Sequence, residues 1–267
     1  DADGNLTGIA VNPACPSQVV EGKNFISADF WSAARNRLRA KHGSHLHVLP
    51  LTGAAGDQSP RDLIRSGRSE TGMRDEEGLE ELGKRIFEAV ERALPAAREQ
   101  IQRDVQFSHV VEELPLPVRQ AAEAEMEEAK GLVQQFAQGN PKPGSSERGR
   151  VHHWEETVRK YEAHSDDTTI PMELHVLRLG DIAVATNPFE LFLDYGLRMK
   201  ARSPASQTFI VQLSCDALGY LPTRKAVAAG GYGAMICNGE IGPEGGDVLV
   251  ERTLKLIGNL WPSQPGQ

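Results

Sequence analysis

Residues 51–61, which read LTGAAGDQSPR, hold the side chains best suited to chemistry in this sequence. Residues 53–56 are all glycine or alanine, and such small residues let a backbone approach another group closely. Ser59 follows them, and Pro60 keeps the backbone at Ser59 out of the helical region. A strand end, a small-residue turn and an exposed hydroxyl suit a catalytic serine. The alternative is a tight turn in which Asp57 and Ser59 hydrogen-bond to their own backbone.

Cys15 is a second candidate, because Pro13 and Pro16 hold the loop around it in an extended conformation. A thiolate at this position would be a metal ligand or a nucleophile. The commoner fate of a free cysteine is that of a small buried apolar residue, and both interpretations stay open.

His45 and His47 are a third candidate. They are two residues apart, so on a strand their side chains share one face. This spacing suits either a metal site or the polar edge of a strand.

A carboxylate and two tyrosines stand out in the second half of the chain. Glu190 follows an apolar run, and the pattern predicts that it lies in the first turn of a helix that reaches about Lys200. A carboxylate there is stabilised by the helix dipole, although the carboxyl ends of strands are also where open α/β sheets bind ligands. Tyr220 and Tyr232 lie in the turn-like segments GYLP and GGYG.

The composition limits the class of protein. The chain has 267 residues, of which 39% are apolar and 26 are glycine, which is enough for a sizeable core. Its net charge of −8 argues against a nucleic-acid partner. No apolar run approaches the ~18 residues that indicate a transmembrane helix. The three cysteines are widely spaced and form neither a disulfide framework nor a CxxC zinc motif.

In the first half, apolar periodicity predicts strands over 9–11, 46–49 and 105–111, and helices over 27–41, 75–102 and 119–138. Ser27 is the expected cap of the first helix, and Pro95 is expected to kink or split the second. Pro115 and Pro117 are expected to end the third strand. Residues 62–74 read as a loop. Residues 139–149 contain two prolines, three glycines and two serines, which predicts a mobile loop near 139–150.

The second half predicts a compact α/β unit that follows a short helix over 152–164. Alternation over 172–176 indicates a half-buried strand, Gly180 and Asp181 a hairpin turn, and residues 182–186 the returning strand. The nearly continuous apolar run over 208–214 predicts a central strand, and residues 245–260 a closing helix. The fold class predicted for the whole chain is α/β, with a mixed β-sheet flanked by helices.

Four of these motifs occur in an order that resembles the catalytic domain of the neutral/alkaline non-lysosomal ceramidase family. They are GDQSP at 56–60, NPFE at 187–190, GYLPT at 219–223 and the later Tyr232. The resemblance spans about residues 9–260 and corresponds to the later part of that domain. It implies a single ceramidase-like domain over 1–267 that lacks its N-terminal part. Enzymes of this family are zinc amidases that cleave the N-acyl bond of ceramide.

The resemblance also implies roles for individual residues. By position, Ser59 matches the catalytic serine, Tyr232 a tyrosine that assists at the scissile carbonyl, and Glu190 and Tyr220 two zinc ligands. Of the family's two zinc histidines, one would precede the first residue and the other would fall in the loop that holds Cys15. Cysteine also binds zinc, so the expected metal ligands are Cys15, Glu190 and Tyr220, and the expected cofactor is zinc.

The implied reaction is hydrolysis of an N-acyl amide, either a small molecule or a lipid. Zinc polarises the carbonyl and lowers the pKa of bound water toward ~7, and attack by Ser59 or by that water are alternatives. Tyr232 would donate to the oxyanion, an interaction worth roughly 3 kcal/mol of barrier. Two other functions remain: a ceramidase-like scaffold that binds without catalytic metal, which Cys15 favours, and a metal-free serine hydrolase that pairs Ser59 with a histidine.

The resemblance carries expectations about partners and localisation. A chain without the family's earlier elements should expose apolar faces, so we expect a homo-oligomer or an association with the missing N-terminal segment. Secretion or a periplasmic location is expected if a signal peptide has been removed upstream.

Overall fold

A computed structural model describes residues 1–63, 72–140, 142, 144–163 and 168–261 of the chain. Helices and strands are interspersed along these residues, which confirms the predicted α/β class. His164 and most of the loop predicted over 62–74 lie outside the described residues. Within the described ranges, no helix combines the length and the apolar character that crossing a bilayer requires.

The strands, in chain order, are β1 (Gly8–Val11), β2 (His47–Pro50), β3 (Phe107–Pro117), β4 (Thr169–Leu179), β5 (Ile182–Thr186), β6 (Glu190–Leu191), β7 (Gln207–Val211) and β8 (Tyr220–Leu221). The helices are α1 (Phe30–His42), α2 (Glu76–Glu99), α3 (Glu123–Ala137), α4 (Ser146–Glu162), α5 (Leu193–Arg202), α6 (Arg224–Ala229) and α7 (Pro243–Leu260). Two short 3-10 helices, Tyr232–Ala234 and Ile236–Asn238, lie between α6 and α7.

The four-stranded sheet is mixed and has the strand order β3-β4-β5-β7. β4 pairs antiparallel with β3 and β5, whereas β5 and β7 are parallel. β1 with β2, and β6 with β8, form separate parallel pairs. The prediction of a mixed sheet is confirmed, but the prediction that β7 is central is wrong, because β7 lies at an edge of this sheet. Its apolar run reflects packing on both faces: Ile210 faces the core, and Phe209 borders a cleft lined by β1 and α2.

The β4–β5 hairpin has the predicted two-residue turn. Leu179 pairs with Ile182, and Gly180 takes a φ of 59°, which favours glycine. Pro115 and Pro117 were expected to end β3 but lie within it. β3 is an edge strand of the described sheet, so a proline can direct its missing N–H away from a partner strand.

One face of the sheet carries the core. Its buried residues come from β3, β4, β5 and β7 and pack against α5, α7 and the residues around β6 and β8. The fully buried side chains at the centre include Leu174, Phe189, Leu191 and Leu221, each 0% exposed. Because side chains alternate along a strand, the other face of β4 carries Glu173, His175 and Leu177.

Helices α1, α2 and α4 differ from the sequence predictions for identifiable reasons. Asp29, not Ser27, caps α1: its Oδ1 accepts from the Phe30 N–H at 2.9 Å, and Ser27 Oγ in turn accepts from the Asp29 N–H at 2.9 Å. α2 stays a single helix through Pro95, which lies in its last turns, where losing one hydrogen bond is tolerated. α4 begins at Ser146 and so takes up the second part of the loop predicted near 139–150.

Candidate functional site

Glu190 and Tyr220 are brought together by a short pair of strands. They are directly paired across β6 and β8, and the next pair, Leu191 with Leu221, is fully buried. The buried leucines anchor the pair in the core and fix its register, because a slip by one residue would exchange polar and apolar side chains. The prediction that Glu190 lies in a helix is therefore wrong: its backbone finds a partner strand, and α5 begins only at Leu193.

The position of Tyr220 depends on two glycines that let backbones approach closely. Gly219 has a φ of +73°, and a Cβ there would collide with the carbonyl oxygen of Asn238. A Cβ on Gly239 would collide with the carbonyl oxygen of Tyr220. Gly219 and Gly239 also form an isolated antiparallel bridge. The glycines thus hold β8 against the segment that follows the 3-10 helices.

The electrostatics of the pair keep Tyr220 protonated. Burial, and then the hydrogen bond to the Glu190 carboxylate, raise the pKa of the Tyr220 phenol above its usual range. The neutral phenol donates to the carboxylate, which accepts. The phenol oxygen and the carboxylate oxygen could both coordinate zinc or another cation, which would then replace the proton that they share.

Tyr232 completes a group with Glu190 and Tyr220. Its ring packs edge-on against the Tyr220 ring, with centroids 5.7 Å apart and planes at 81°. The Tyr232 side chain is 63% exposed, so it is open to a ligand. Gly233 beside it leaves room for the Tyr220 ring, since a Cβ there would lie 3.0 Å from Tyr220 Cδ1. Three residues from separate motifs therefore meet at one place.

The segment that leads to Ser59 is docked on β6. The Gly56 N–H donates to the Leu191 carbonyl at 2.8 Å, and a Cβ on Gly56 would collide with the Glu190 carbonyl oxygen. Asp57 Oδ1 accepts from the Leu193 N–H at 2.8 Å and so caps α5, which has no cap from its own N-cap side chain. The sequence pattern could not predict this cap, because Asp57 and Leu193 are far apart in the chain.

Ser59 lies three residues beyond Gly56, so an extended chain would place it at most about 10 Å from Gly56. The serine is exposed, and its Oγ accepts from the Arg61 N–H at 3.2 Å. This local bond is the one expected of a tight turn, while the docking of the segment on β6 is what a catalytic serine requires. In the part of the chain that is described, no histidine ring hydrogen-bonds to Ser59.

Gln212 holds this arrangement together, and the sequence analysis missed it. The residue is 6% exposed, and its Oε1 accepts from the Ala55 N–H at 2.9 Å and from the Leu191 N–H at 3.2 Å. Its own N–H donates to the Thr52 carbonyl at 3.0 Å. One buried amide thus ties the Ser59 segment to β6. A polar residue ending the apolar run of β7 was the available signal.

Cys15 has apolar surroundings. It packs beside the cluster that includes Val19 and Phe30, and borders a small cleft lined also by Leu82 and Ile86. Burial, and then the nearby charge of Asp29, raise the pKa of its thiol to about 11. The loop of Cys15 does run beside the Ser59 segment, since the Gly53 N–H donates to the Pro13 carbonyl at 2.8 Å. Its role as a metal ligand stays a prediction.

The residues fit part of a zinc site. A catalytic zinc usually has three protein ligands, and Glu190 and Tyr220 supply two oxygens in contact. Both polar atoms of the nearby Asn12 side chain are buried without a hydrogen-bond partner among the described residues. The third ligand, Cys15, stays a prediction.

A second group of metal-ligand types lies elsewhere. Glu173, His175 and Cys215 place one ligand atom each within 4.8 Å of one another. The alternation of Glu173 and His175 along β4 was a signal for two of the three, since they share a face. Cys215, which follows β7, could not be joined to them from the pattern, because the contact is long-range.

The comparisons with known proteins give structural matches only. The chain matches no protein-family model and no curated protein. The structure of neutral ceramidase from Pseudomonas aeruginosa matches with a TM-score of 0.66 at 16% identity, over 97% of this chain and 45% of that chain. A ceramidase complexed with C2 matches with a TM-score of 0.66 at 15% identity, over 98% of this chain and 46% of that one. The predicted resemblance to the ceramidase fold is confirmed, and the chain spans less than half the length of these structures.

Proposed function

We propose that the chain is an amide hydrolase resembling neutral ceramidase, with its site at Glu190, Tyr220, Tyr232 and Ser59. One observation carries the proposal. The Glu190 carboxylate, the Tyr220 phenol and the Tyr232 ring meet at one place although they come from separate motifs. The similarity of the whole fold to ceramidase structures supports the same conclusion.

Each residue has a distinct part in the proposed reaction. Tyr232 presents an exposed phenol that donates to the oxyanion as the amide carbonyl is attacked. The Ser59 hydroxyl, or a water that it orients, attacks the carbonyl carbon; the C–N bond breaks, and the proton released by the nucleophile leaves with the amine. If serine is the nucleophile, a water then hydrolyses the acyl ester on Ser59. Zinc, held by Glu190, Tyr220 and the predicted ligand Cys15, supplies polarisation of the carbonyl when bound. The proposed substrate is an N-acyl amide of the lipid type, which the similarity to ceramidases favours.

The first test removes the hydroxyl of Tyr232. Tyr232→Phe keeps the ring that packs on Tyr220 but loses the donor, so kcat should fall by about 10²–10³. The measurement is release of the free amine from a fluorescent short-chain N-acylsphingosine, with zinc supplied. Tyr161→Phe, a tyrosine of α4 outside the site, is the matched control and should keep parental activity. A parent protein that releases no amine with zinc present would overturn the proposal.

A second candidate function is a binding scaffold without catalytic metal. The apolar surroundings of Cys15 and the raised pKa of its thiol favour it, because they leave only Glu190 and Tyr220 in contact. Calorimetry with the same N-acylsphingosine separates the two functions. Binding with no amine released, and no zinc retained after dialysis, would select the scaffold.

A further inference from the structure

Four polar side chains gather on the face of the sheet that lies opposite the core. His175 Nε2 lies 2.7 Å from Glu173 Oε1 and 3.5 Å from Cys215 Sγ. His175 Nδ1 lies 2.9 Å from Nε2 of His109, on the neighbouring strand β3. None of these residues belongs to the group around Glu190. We call them the β4 cluster.

The arrangement of the β4 cluster does not suit a nucleophile relay. In such a relay the base takes the proton of the nucleophile on one ring nitrogen and is oriented through the other. Here the carboxylate and the thiol both approach the same nitrogen, Nε2 of His175. Three ligand atoms that converge on one point are what a bound cation requires.

The fourth residue fits the same interpretation. A metal-bound histidine almost always donates its other ring N–H to a neighbouring acceptor, which fixes the tautomer and the ring orientation. His109 Nε2 is placed to accept from His175 Nδ1, and the two rings are nearly parallel, at 18° with centroids 5.1 Å apart. With the proton on Nδ1, the lone pair of Nε2 points at the carboxylate and the thiol, a contact that a cation would stabilise.

We propose that Glu173, His175 and Cys215 form a binding site for a zinc-like divalent transition metal ion on the open face of the sheet. Tetrahedral ligand atoms around zinc lie roughly 3.2–3.8 Å apart, from bond lengths of about 2.0–2.3 Å. The thiol–imidazole distance of 3.5 Å is in that range, and the carboxylate–imidazole distance of 2.7 Å would lengthen by about 0.5–1 Å on binding. The Glu173 side chain is 54% exposed and free to make this movement.

The ligand set selects the class of ion. Thiolate and imidazole favour zinc, cobalt and related ions, whereas magnesium and calcium prefer oxygen ligands alone. Three protein ligands leave a fourth position for water or for a further group. The backbone of His175 is itself held in place, because its N–H donates to Thr186 Oγ1 at 3.1 Å.

The test uses Co²⁺ as the probe, because a cobalt–thiolate bond gives a charge-transfer absorption in the near ultraviolet. The whole chain, freed of metal with a chelator, is titrated with Co²⁺. The parent should develop this band, and Cys215→Ser should lose the part of it that the β4 cluster contributes. His175→Gln keeps every thiol and should weaken Co²⁺ binding at least tenfold, while His109→Gln should weaken it by about 10–100-fold.

Cys15→Ser is the control that separates this site from the zinc site of the proposed function. The part of the band that Cys215→Ser removes should persist in Cys15→Ser, because Cys15 is not in the β4 cluster. A band that Cys15→Ser removes and Cys215→Ser keeps would overturn the inference while leaving the proposed function in place. No band in the folded parent, or equal Co²⁺ affinity in His175→Gln, would also overturn it.

Discussion

At the scale of single residues, chemistry depends on which proton each group holds. Tyr220 is the clearest case: burial and the Glu190 carboxylate both raise the pKa of its phenol, so it meets a substrate or a metal as a neutral donor. Cys15 is also kept protonated, but by apolar neighbours. A metal would have to displace the proton from each of these predicted ligands. At Tyr220 that proton is held by a hydrogen bond to a carboxylate, and at Cys15 by an apolar pocket.

Cys15 gives a prediction for the pH dependence of stability. Its pKa rises from 9.0 to about 11 on folding, so the folded protein binds this proton more tightly than the unfolded chain. The stabilisation is fully present below pH 9 and is lost as pH rises toward 11, by at most about 2.7 kcal/mol at 1.36 kcal/mol per unit. Cys15→Ala should flatten this alkaline decline in urea unfolding measured from pH 8 to 11.

The comparison variant is Cys215→Ala, because Cys215 is exposed whereas Cys15 is partly buried, although burial and then Glu173 also raise the pKa of the Cys215 thiol. We expect the alkaline decline of this variant to stay closer to that of the parent than the decline of Cys15→Ala does. An identical alkaline decline in Cys15→Ala and the parent would show that the Cys15 thiol is not desolvated.

At the scale of elements, the site depends on a loop and a strand that touch through backbone atoms. Gly56→Ala should displace Glu190, since the new Cβ would collide with the Glu190 carbonyl oxygen. We expect a loss of roughly 1–3 kcal/mol in the free energy of unfolding, the usual cost of overpacking, together with lower amidase activity. Denaturant unfolding and amine release on the same samples check both.

Gly131→Ala is a control for which we expect the opposite change in the free energy of unfolding. Gly131 lies in α3 with nothing within 4 Å of an added Cβ, so alanine should stabilise the helix by about 0.5–1 kcal/mol. A Gly56→Ala protein as stable and active as the parent would contradict the docking of the Ser59 segment on β6.

The elements also show which parts of the fold can be predicted from the sequence. Local patterns predicted both ends of β5 correctly, and also the hairpin turn at Gly180, because alternation and glycine conformation are local properties. Glu190 was placed in a helix because the pattern does not reveal that Tyr220 supplies a partner strand. Gln212 and the β4 cluster were missed for the same reason: their contacts join residues far apart in sequence. The ordered motifs picked out Glu190, Tyr220 and Tyr232, which lie together in the structure, because a family pattern encodes such contacts.

At the scale of the whole molecule, the open face of the sheet exposes three large apolar side chains beside the polar β4 cluster. Phe107 is 62% exposed, Val111 49% and Leu179 41%, and these residues lie on the face that carries His175. Apolar patches of this kind commonly mark contacts with another protein. We expect the chain to self-associate as its concentration rises, which is one of the two alternatives that the family resemblance implied.

Sedimentation velocity over a concentration series tests this expectation. Val111→Lys places a charge in the patch and should shift the equilibrium toward monomer, whereas Val248→Lys, an exposed valine of α7, should not. A protein that stays monomeric at every concentration would contradict self-association through this face.

The most direct test of the proposed function is the turnover of Glu190→Gln. The substitution keeps the shape of β6 but replaces the carboxylate that accepts from Tyr220 and is proposed to hold zinc. With zinc supplied, kcat/KM for the fluorescent N-acylsphingosine should fall at least 100-fold, with the circular dichroism spectrum unchanged. Glu113→Gln, an exposed carboxylate of β3, should keep parental turnover. Parental turnover in Glu190→Gln would contradict the proposal that these residues form the hydrolytic site.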